Sequence, residues 1–218
     1  MNNFITNSQK KQLKTRLLEL LSKSSELKFL IGFFYFSGLK ELYEGLKLNN
    51  ELTLKILVGL NVDKNIYGLF EYGDNDKKLS DDERINNFYE SIKKSINTEN
   101  YDHQDFYEQS KFFLQLIKED RIIIRKSYEP NHAKLYLFQL VEEQIGRSKL
   151  FITGSSNLTS AGLTSQHEFN VEISDYGYDE ALKYFDNLWD SAVKISEDDE
   201  LKKKLIKILE QETLIKEI

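Results

Sequence analysis

The stretch NHAKLYLF, residues 131–138, places a histidine and a lysine at the start of an otherwise apolar run. Side chains alternate between the two faces of a β-strand, so a strand here would bring His132 and Lys134 to one face. Their Cα atoms would then be about 7 Å apart, which leaves room for a phosphate oxygen between the two side-chain ends. Either residue alone is more often structural, but a buried lysine needs an anion nearby. The pair therefore predicts an anion site at the start of a core strand.

A second stretch, FITGSSNLTSAGL at residues 151–163, ends another apolar strand in a small polar turn. Gly154 allows the backbone to approach a ligand closely. Ser155 and Asn157 offer hydroxyl and amide donors that suit phosphate oxygens. The same turn can instead simply cap a helix that begins near Leu158, although a helix N-terminus is itself favourable for anions.

The patterns along the chain predict an α/β protein with a mixed, largely parallel central sheet, helices on both faces and two C-terminal helices. The first sixty residues alternate helix, strand, helix and strand, which indicates a parallel pair joined by a crossover helix. The predicted strands are 26–36, 52–60, 121–127, 133–140, 149–154 and 168–174. The predicted helices are 8–24, 37–46, 81–97, 103–119, 177–195 and 199–216. The polar region 61–100 is expected to be the least ordered.

The composition excludes several classes of protein. A net charge of −6 has the wrong sign for a protein whose whole surface binds nucleic acid, although residues 118–149 hold seven Lys or Arg against five acids. Zero cysteines exclude disulfides and thiolate chemistry, and three histidines without an HExxH motif argue against zinc. The chain has no run of eighteen apolar residues and a polar N-terminus, so we expect a cytoplasmic protein without a membrane span.

His-x-Lys on one strand, followed by Gly-Ser-x-Asn at the end of the next, resembles the HKD motif of the phospholipase D (PLD) superfamily. The matching residues here are His132, Lys134, Gly154, Ser155 and Asn157, with Glu168 where many members carry a glutamate. These stretches, together with HEFNVEI at 167–173 and with FFYFSGLKEL and LKILVGL nearer the N-terminus, look like the nuclease branch. That branch includes the PLD-like domains found beside bacterial superfamily-2 helicases and in metal-independent restriction endonucleases. The resemblance spans roughly residues 28–190, with 61–120 unsupported.

The resemblance implies a phosphodiesterase that needs neither a metal nor a cofactor. His132 would attack phosphorus and form a phosphohistidine that water then cleaves, while a second histidine protonates the leaving oxygen. Lys134, Ser155 and Asn157 would bind the non-bridging oxygens. Glu168 would orient an imidazole. The expected catalytic residues are therefore His132, Lys134, Asn157 and Glu168.

Two departures from the family pattern shape the hypothesis. The motif's aspartate should fall at Gln139, which is not a carboxylate, although nuclease-branch members often lack it and keep a later glutamate. The chain also carries one copy of the motif, whereas two histidines are needed. We therefore expect a C2 homodimer that shares one active site and brings two copies of His132 together. His103 and His167 are weaker candidates for a second histidine within the chain.

Residues 1–195 are expected to form the PLD-like catalytic domain. Residues 196–218 are expected to form a C-terminal helix, which either links to a further module or covers the sheet as an ordinary amphipathic helix. The favoured function is metal-independent cleavage of DNA in a restriction or helicase-associated defence system, with a helicase or DNA-recognition domain as a partner. One alternative is a non-catalytic DNA-binding or dimerisation module that keeps the phosphate pocket. The other is a hydrolase of phospholipids or small phosphodiesters.

Overall fold

The computed structural model describes residues 4–8, 11–60, 80–98, 103–144, 147–174 and 176–213. The strands in this part are β1 Phe4–Ile5, β2 Ser24–Ile31, β3 Thr53–Val58, β4 Ile122–Lys126, β5 Leu135–Gln144, β6 Arg147–Gly154, β7 Asn170–Ile173 and β8 Val193–Lys194. The helices are α1 Leu13–Leu21, α2 Phe36–Glu41, α3 Tyr43–Leu48, α4 Asp81–Thr98, α5 His103–Lys118, α6 Ser160–Thr164, α7 Tyr178–Ser191 and α8 Asp199–Thr213. Most of the region expected to be least ordered, 61–79 and 99–100, lies outside the described residues.

The strands form one eight-stranded sheet in the order β1-β7-β6-β5-β2-β3-β4-β8. The β2–β3 and β3–β4 pairs are parallel, as the crossover helices between these strands require. All other neighbouring pairs of the described strands are antiparallel. The prediction of a mixed sheet is confirmed, but the expectation that it is largely parallel is wrong.

The short connections in the second half of the chain explain this difference. A parallel pair needs a crossover of a dozen or more residues, whereas β5 and β6 are separated by two residues. A connection this short allows only the antiparallel pairing that β5 and β6 show. After β6, the chain passes through the short helix α6 into β7, and β7 pairs antiparallel with β6.

Helices cover both faces of the sheet, as predicted. The larger core includes α1, whose Leu13, Leu17, Leu20 and Leu21 are all buried at the helical spacing that the sequence predicts. On the opposite face, Phe185 and Trp189 of α7 pack against side chains such as Leu135 and Leu137 of β5. Because Tyr136 and Phe138 belong to the larger core instead, β5 alternates between the two cores.

The C-terminal helix α8 packs into the larger core, on the same face of the sheet as α1. Its Leu205, Ile208 and Leu209 are buried there, and it lies against α4 and α5. The described part of this helix ends at residue 213. The domain boundary at residue 195 and the linking role of this segment stay predictions. No helix of the described part is long and apolar enough to cross a membrane.

One edge of the sheet gathers the motif residues. The parallel strands β2 and β3 end there, and just beyond them the Gly59 N–H donates to Ile31 O at 2.8 Å. β5 runs antiparallel to β2, so it begins at this edge, with Leu135. β6 runs antiparallel to β5 and therefore ends here, at Gly154. Topology thus brings both halves of the sequence motif to one place.

Candidate active site

Three motif side chains meet around Gly32, and we call this arrangement the Gly32 cradle (His132, Lys134 and Asn157). A Cβ atom built on Gly32 would lie 3.0 Å from Asn157 Oδ1, 3.0 Å from His132 Cδ2 and 3.5 Å from Lys134 Nζ. The three polar groups therefore converge on one point at the end of β2. Glycine is the residue that leaves this space open. Sequence reasoning found the three side chains but missed the glycine that they surround.

His132 and Lys134 precede the strand instead of lying within it. β5 begins at Leu135, so the expectation of a strand from residue 133 is wrong at its start. The segment before it is held by tertiary contacts at Gly59, whose carbonyl accepts the Asn131 N–H at 3.3 Å. His132 is exposed while Lys134 is only 5% exposed. The two side chains still meet, at the cradle.

Asn131 fixes the backbone on either side of His132. Its Oδ1 accepts the Ala133 N–H at 2.8 Å, and its Nδ2 donates to Tyr184 Oη at 3.1 Å. The Phe33 ring lies edge-on to the imidazole, with ring centroids 5.9 Å apart. Desolvation, and then the charge of Lys134, lower the pKa of His132 below its usual range. The neutral, nucleophilic imidazole is therefore the main form at neutral pH.

Lys134 is a buried cation that forms no ion pair with the described residues. Its Nζ donates to the His132 carbonyl at 2.6 Å. Burial lowers the pKa of Lys134 to about 8, and the charge of Glu168 opposes part of that shift. A buried ammonium that remains charged at neutral pH is best compensated by an anion in the cradle. This is the electrostatic requirement that the sequence pattern anticipated.

The Gly-Ser-x-Asn turn divides its polar groups between the cradle and the neighbouring loop. Asn157 Oδ1 accepts the Phe33 N–H at 3.4 Å, so its Nδ2 group is the part that can donate to a ligand. Ser155 Oγ donates to the Glu168 carboxylate and accepts the Phe169 N–H at 3.0 Å. Ser155 is therefore held by Glu168, and it would have to reorient to bind a phosphate oxygen. Among the described side chains, Glu168 accepts a hydrogen bond from this hydroxyl, whereas we expected an imidazole as its partner.

Asn170 is a supporting residue that the sequence pattern did not single out. It is fully buried; its Oδ1 accepts the Ser156 N–H at 3.2 Å and its Nδ2 donates to Ser156 Oγ at 2.9 Å. From the other side, the Tyr136 hydroxyl donates to the Ser156 carbonyl at 2.7 Å, and burial raises the pKa of Tyr136. The turn is thereby fixed on both sides. The alternating pattern of β7, Asn-Val-Glu-Ile, does not indicate which of its two faces is buried, so the burial of Asn170 could not be predicted from it.

The remaining candidates are Gln139, His167 and His103. Gln139 is exposed and lies five residues along the chain from Lys134, about 17 Å by the rise of a strand. It points to the opposite face from Tyr136, so the absent aspartate does not alter the cradle. His167 is exposed. The side chain of His103 lies outside the described part. Within the described residues, no group of three His, Asp or Glu side chains is placed to hold a metal ion.

Comparison with known proteins places this geometry in a family. Residues 17–189 match the family model described as "Cardiolipin synthase, PLD-like domain". No curated protein sequence matches the chain significantly.

Several solved structures resemble the chain. Phosphatidylserine synthase from Haemophilus influenzae Rd KW20 has a TM-score of 0.53 and 15% identity, over 98% of this chain and 45% of that chain. NucT from Helicobacter pylori has a TM-score of 0.43 and 11% identity, over 83% and 89%. The phospholipase D family member Nuc from Salmonella typhimurium has a TM-score of 0.42 and 14% identity, over 88% and 95%. The family match covers most of the chain and includes every residue of the cradle, so the chain belongs to the phospholipase D superfamily of phosphodiesterases.

Proposed function

We propose that the protein is a metal-independent phosphodiesterase that cleaves DNA through a covalent intermediate on His132. The convergence of His132, Lys134 and Asn157 on the space beside Gly32 carries this proposal. The cradle offers one nucleophile and two donors to a phosphate group. A fixed ammonium and amide can stabilise the charge on the phosphoryl oxygens, which is the task that a metal ion performs in other sites.

The reaction has two steps. In the first, the neutral His132 imidazole attacks phosphorus, the bond to the leaving oxygen breaks, and that oxygen takes a proton from a second imidazole. In the second step, the second imidazole accepts a proton from a water molecule while the oxygen of that water attacks phosphorus. The bond between nitrogen and phosphorus breaks, which releases the phosphomonoester and free His132. Lys134 and Asn157 hold the non-bridging oxygens throughout.

The second imidazole is supplied by another copy of this chain in our proposal. Among the described side chains, His132 is the one imidazole seen at the cradle, and it is exposed. A C2 dimer brings the same surface of two copies together, so it can place two His132 side chains across one phosphate. Mixing His132→Ala with wild-type chains then forms heterodimers that lack one imidazole. If active sites are shared, activity per wild-type chain falls as the variant is added in excess; activity that stays constant would contradict sharing.

An exposed aromatic pair beside the site supports a nucleic-acid substrate. The rings of Phe4 and Phe169 have centroids 5.3 Å apart and are 48% and 55% exposed. Phe169 follows Glu168 directly, and its backbone N–H and carbonyl both bond to Ser155. Nucleobases stack on aromatic side chains, at about 1–3 kcal/mol per base. A base next to the bound phosphate is therefore the substrate group that best fits this pair.

Replacing Phe169 by alanine tests the base contact. We expect the KM for a single-stranded oligonucleotide to rise about tenfold, because one stacking contact of about 1–3 kcal/mol is lost. Hydrolysis of bis(p-nitrophenyl) phosphate, which has no base, should stay unchanged. Tyr176→Ala removes another exposed aromatic side chain and is the control. Equal effects on both substrates, or a change in oligomeric state, would show that Phe169 has another role.

The pH dependence follows from the two shifted groups of the cradle. With bis(p-nitrophenyl) phosphate, whose nitrophenolate leaves without a proton, we expect kcat/KM to rise with pH through the pKa of His132, which lies below the usual 6.5. It should then fall near pH 8, where Lys134 loses its charge. Lys134→Arg keeps the charge at high pH, so the alkaline fall should disappear. An alkaline fall near pH 8 that persists in Lys134→Arg would rule out Lys134 as its cause.

Gly32→Ala fills the centre of the cradle. The added methyl group would lie 3.0 Å from both His132 and Asn157, so we expect kcat/KM to fall about 100-fold through displaced reactive groups. Gly45→Ala is a matched control, because its Cβ would meet Leu21 Cδ1 at 2.9 Å far from the site. Both variants should be slightly less stable in thermal unfolding. Equal activity losses in the two variants would mean that crowding acts on the fold and not on the cradle.

A substrate comparison in excess EDTA tests the proposed function. We expect the wild-type protein to cleave DNA and not phosphatidylcholine vesicles. Cleavage of lipid alone would favour the phospholipid hydrolase. DNA binding without cleavage of any phosphodiester, unchanged in His132→Ala, would favour the non-catalytic binding module. A place in a restriction or helicase-associated system, with a helicase or DNA-recognition domain as partner, is part of the proposal; co-purification of such a partner checks it.

A further inference from the structure

Asn7 joins the N-terminal segment to the loop that carries Glu168. We call residues 4–8 the N-terminal strap. Asn7 Nδ2 donates to the Gly162 carbonyl at 2.7 Å and to the Gln166 carbonyl at 3.1 Å. Its Oδ1 accepts the Leu13 N–H at 2.9 Å, at the start of α1. Every hydrogen-bonding group of this side chain is therefore engaged, in a residue only 9% exposed.

The backbone of Asn7 lies in the left-handed region, with φ at 53°. Glycine and asparagine adopt this conformation more readily than other residues. Of these two, asparagine alone supplies two donors and an acceptor. The position thus requires both a rare backbone conformation and a complete amide, a combination typical of a site where geometry is tightly set.

The strap reaches the site through two routes. Gln166, held by Asn7, lies two residues before Glu168, whose carboxylate accepts the Ser155 hydroxyl. On the other side of Glu168, Asn170 Nδ2 donates to the Ile5 carbonyl at 3.5 Å as well as to Ser156. β1 also pairs with β7, with Ile5 opposite Asn170. The segment that bears Glu168 is therefore bound to the strap at both ends.

We propose that Asn7 is a positioning residue for the reaction, acting through the 165–169 loop to hold Glu168 against Ser155. This inference rests on the proposed function. The loop between α6 and β7 has little regular structure of its own, so its carbonyl groups need partners elsewhere. Asn7 supplies a partner for the Gln166 carbonyl in this loop, and it also bonds to the Gly162 carbonyl of α6, where Gln12 Nε2 donates to the Thr164 carbonyl at 3.0 Å. Without Asn7, the Gln166 carbonyl loses its partner, and the Glu168–Ser155 contact, which anchors the turn that bears Asn157, is held less firmly.

Asn7→Gly is the sharpest variant, because glycine keeps the left-handed backbone and removes the three side-chain hydrogen bonds. Asn49→Ala is the matched control. Asn49 Nδ2 also donates to two carbonyls, of Leu21 at 2.8 Å and Ser24 at 2.9 Å, at the opposite end of β2. We expect Asn7→Gly to lower kcat for bis(p-nitrophenyl) phosphate in EDTA about tenfold with KM unchanged, since a misplaced group costs rate rather than binding. Asn49→Ala should leave kcat unchanged.

A double-mutant cycle with Glu168→Gln separates positioning from general loss of stability. If Asn7 acts through Glu168, Asn7→Gly should lower kcat less than twofold in the Glu168→Gln background. Multiplicative effects, or an unchanged kcat in Asn7→Gly, would overturn the inference. Hydrogen exchange gives a readout without activity: the Ser155 and Phe169 amides should exchange faster in Asn7→Gly but not in Asn49→Ala. If no phosphodiester is cleaved, the proposed function fails, and unchanged exchange at these amides would overturn the positioning role separately.

Discussion

His132→Ala should lower kcat for DNA cleavage by at least about 10³-fold, because the variant lacks the group that forms the covalent intermediate. The loss should appear in kcat and not only in KM, since Lys134 and Asn157 still bind the phosphate. Stability should change little, because His132 is exposed. Single-turnover and steady-state cleavage of a labelled oligonucleotide in EDTA measure both constants.

The matched control for this variant is His167→Ala. His167 is also exposed and lies next to Glu168 in the chain. We expect it to keep activity within about threefold of wild type, in line with a surface substitution outside the reacting groups. If His167→Ala were as inactive as His132→Ala, the second imidazole would come from within the chain, and the shared site of the proposed dimer would be unnecessary.

Gly59→Ala should disable the site from outside the cradle. A Cβ on Gly59 would lie 1.8 Å from the Asn131 carbonyl oxygen and 2.7 Å from its carbonyl carbon. The clash is with backbone, so no side-chain rotation relieves it, and the segment bearing His132 has to move. A displacement of about 1 Å can cost about 100-fold in rate, and overpacking typically costs about 1–3 kcal/mol in stability. We expect both losses, measured by kcat/KM and by denaturant unfolding.

Asn131→Ala keeps the prediction testable if Gly59→Ala does not fold. It leaves the glycine contact intact and removes the side chain that bonds to Ala133 and Tyr184. A smaller loss of activity, about tenfold, is expected, because the backbone of the segment stays seated while His132 gains freedom. Wild-type rates in both variants would show that the position of this segment does not limit the reaction.

The sequence contains enough information to predict the longer elements of this fold and the residues of the cradle. It does not predict the strands β1 and β8, the latter placed in a predicted helix, and it indicates the short helix α6 only as one interpretation of the turn after β6. Apolar runs identify the core strands, and the spacing of His132, Lys134 and Asn157 within the motif identifies the side chains that surround Gly32. The parallel pairing of β2 with β3 follows from the helical segments between them. These features depend on residues close together in the chain, where periodicity and steric preference decide the structure.

Features that depend on contacts between distant residues could not be predicted. β5 begins at Leu135 because the preceding segment docks on Gly59, more than seventy residues earlier. Asn170 is buried because Ser156 and the Ile5 carbonyl satisfy its amide, at separations of 14 and 165 residues. The sequence of β7, Asn-Val-Glu-Ile, is compatible with burial of either face of the strand. The pairing of Glu168 with Ser155 likewise depends on where the strap holds the loop.

The most direct test of the account is mass spectrometry of the protein denatured at alkaline pH during DNA cleavage in excess EDTA, because a bond between histidine and phosphorus is stable in base and hydrolyses in acid. We predict an adduct in which one cleavage product is joined through its phosphate to the peptide that contains His132, formed at a rate no slower than turnover and absent in His132→Ala. Turnover without an adduct, an adduct on another residue, or loss of all cleavage in EDTA would contradict metal-independent catalysis through His132.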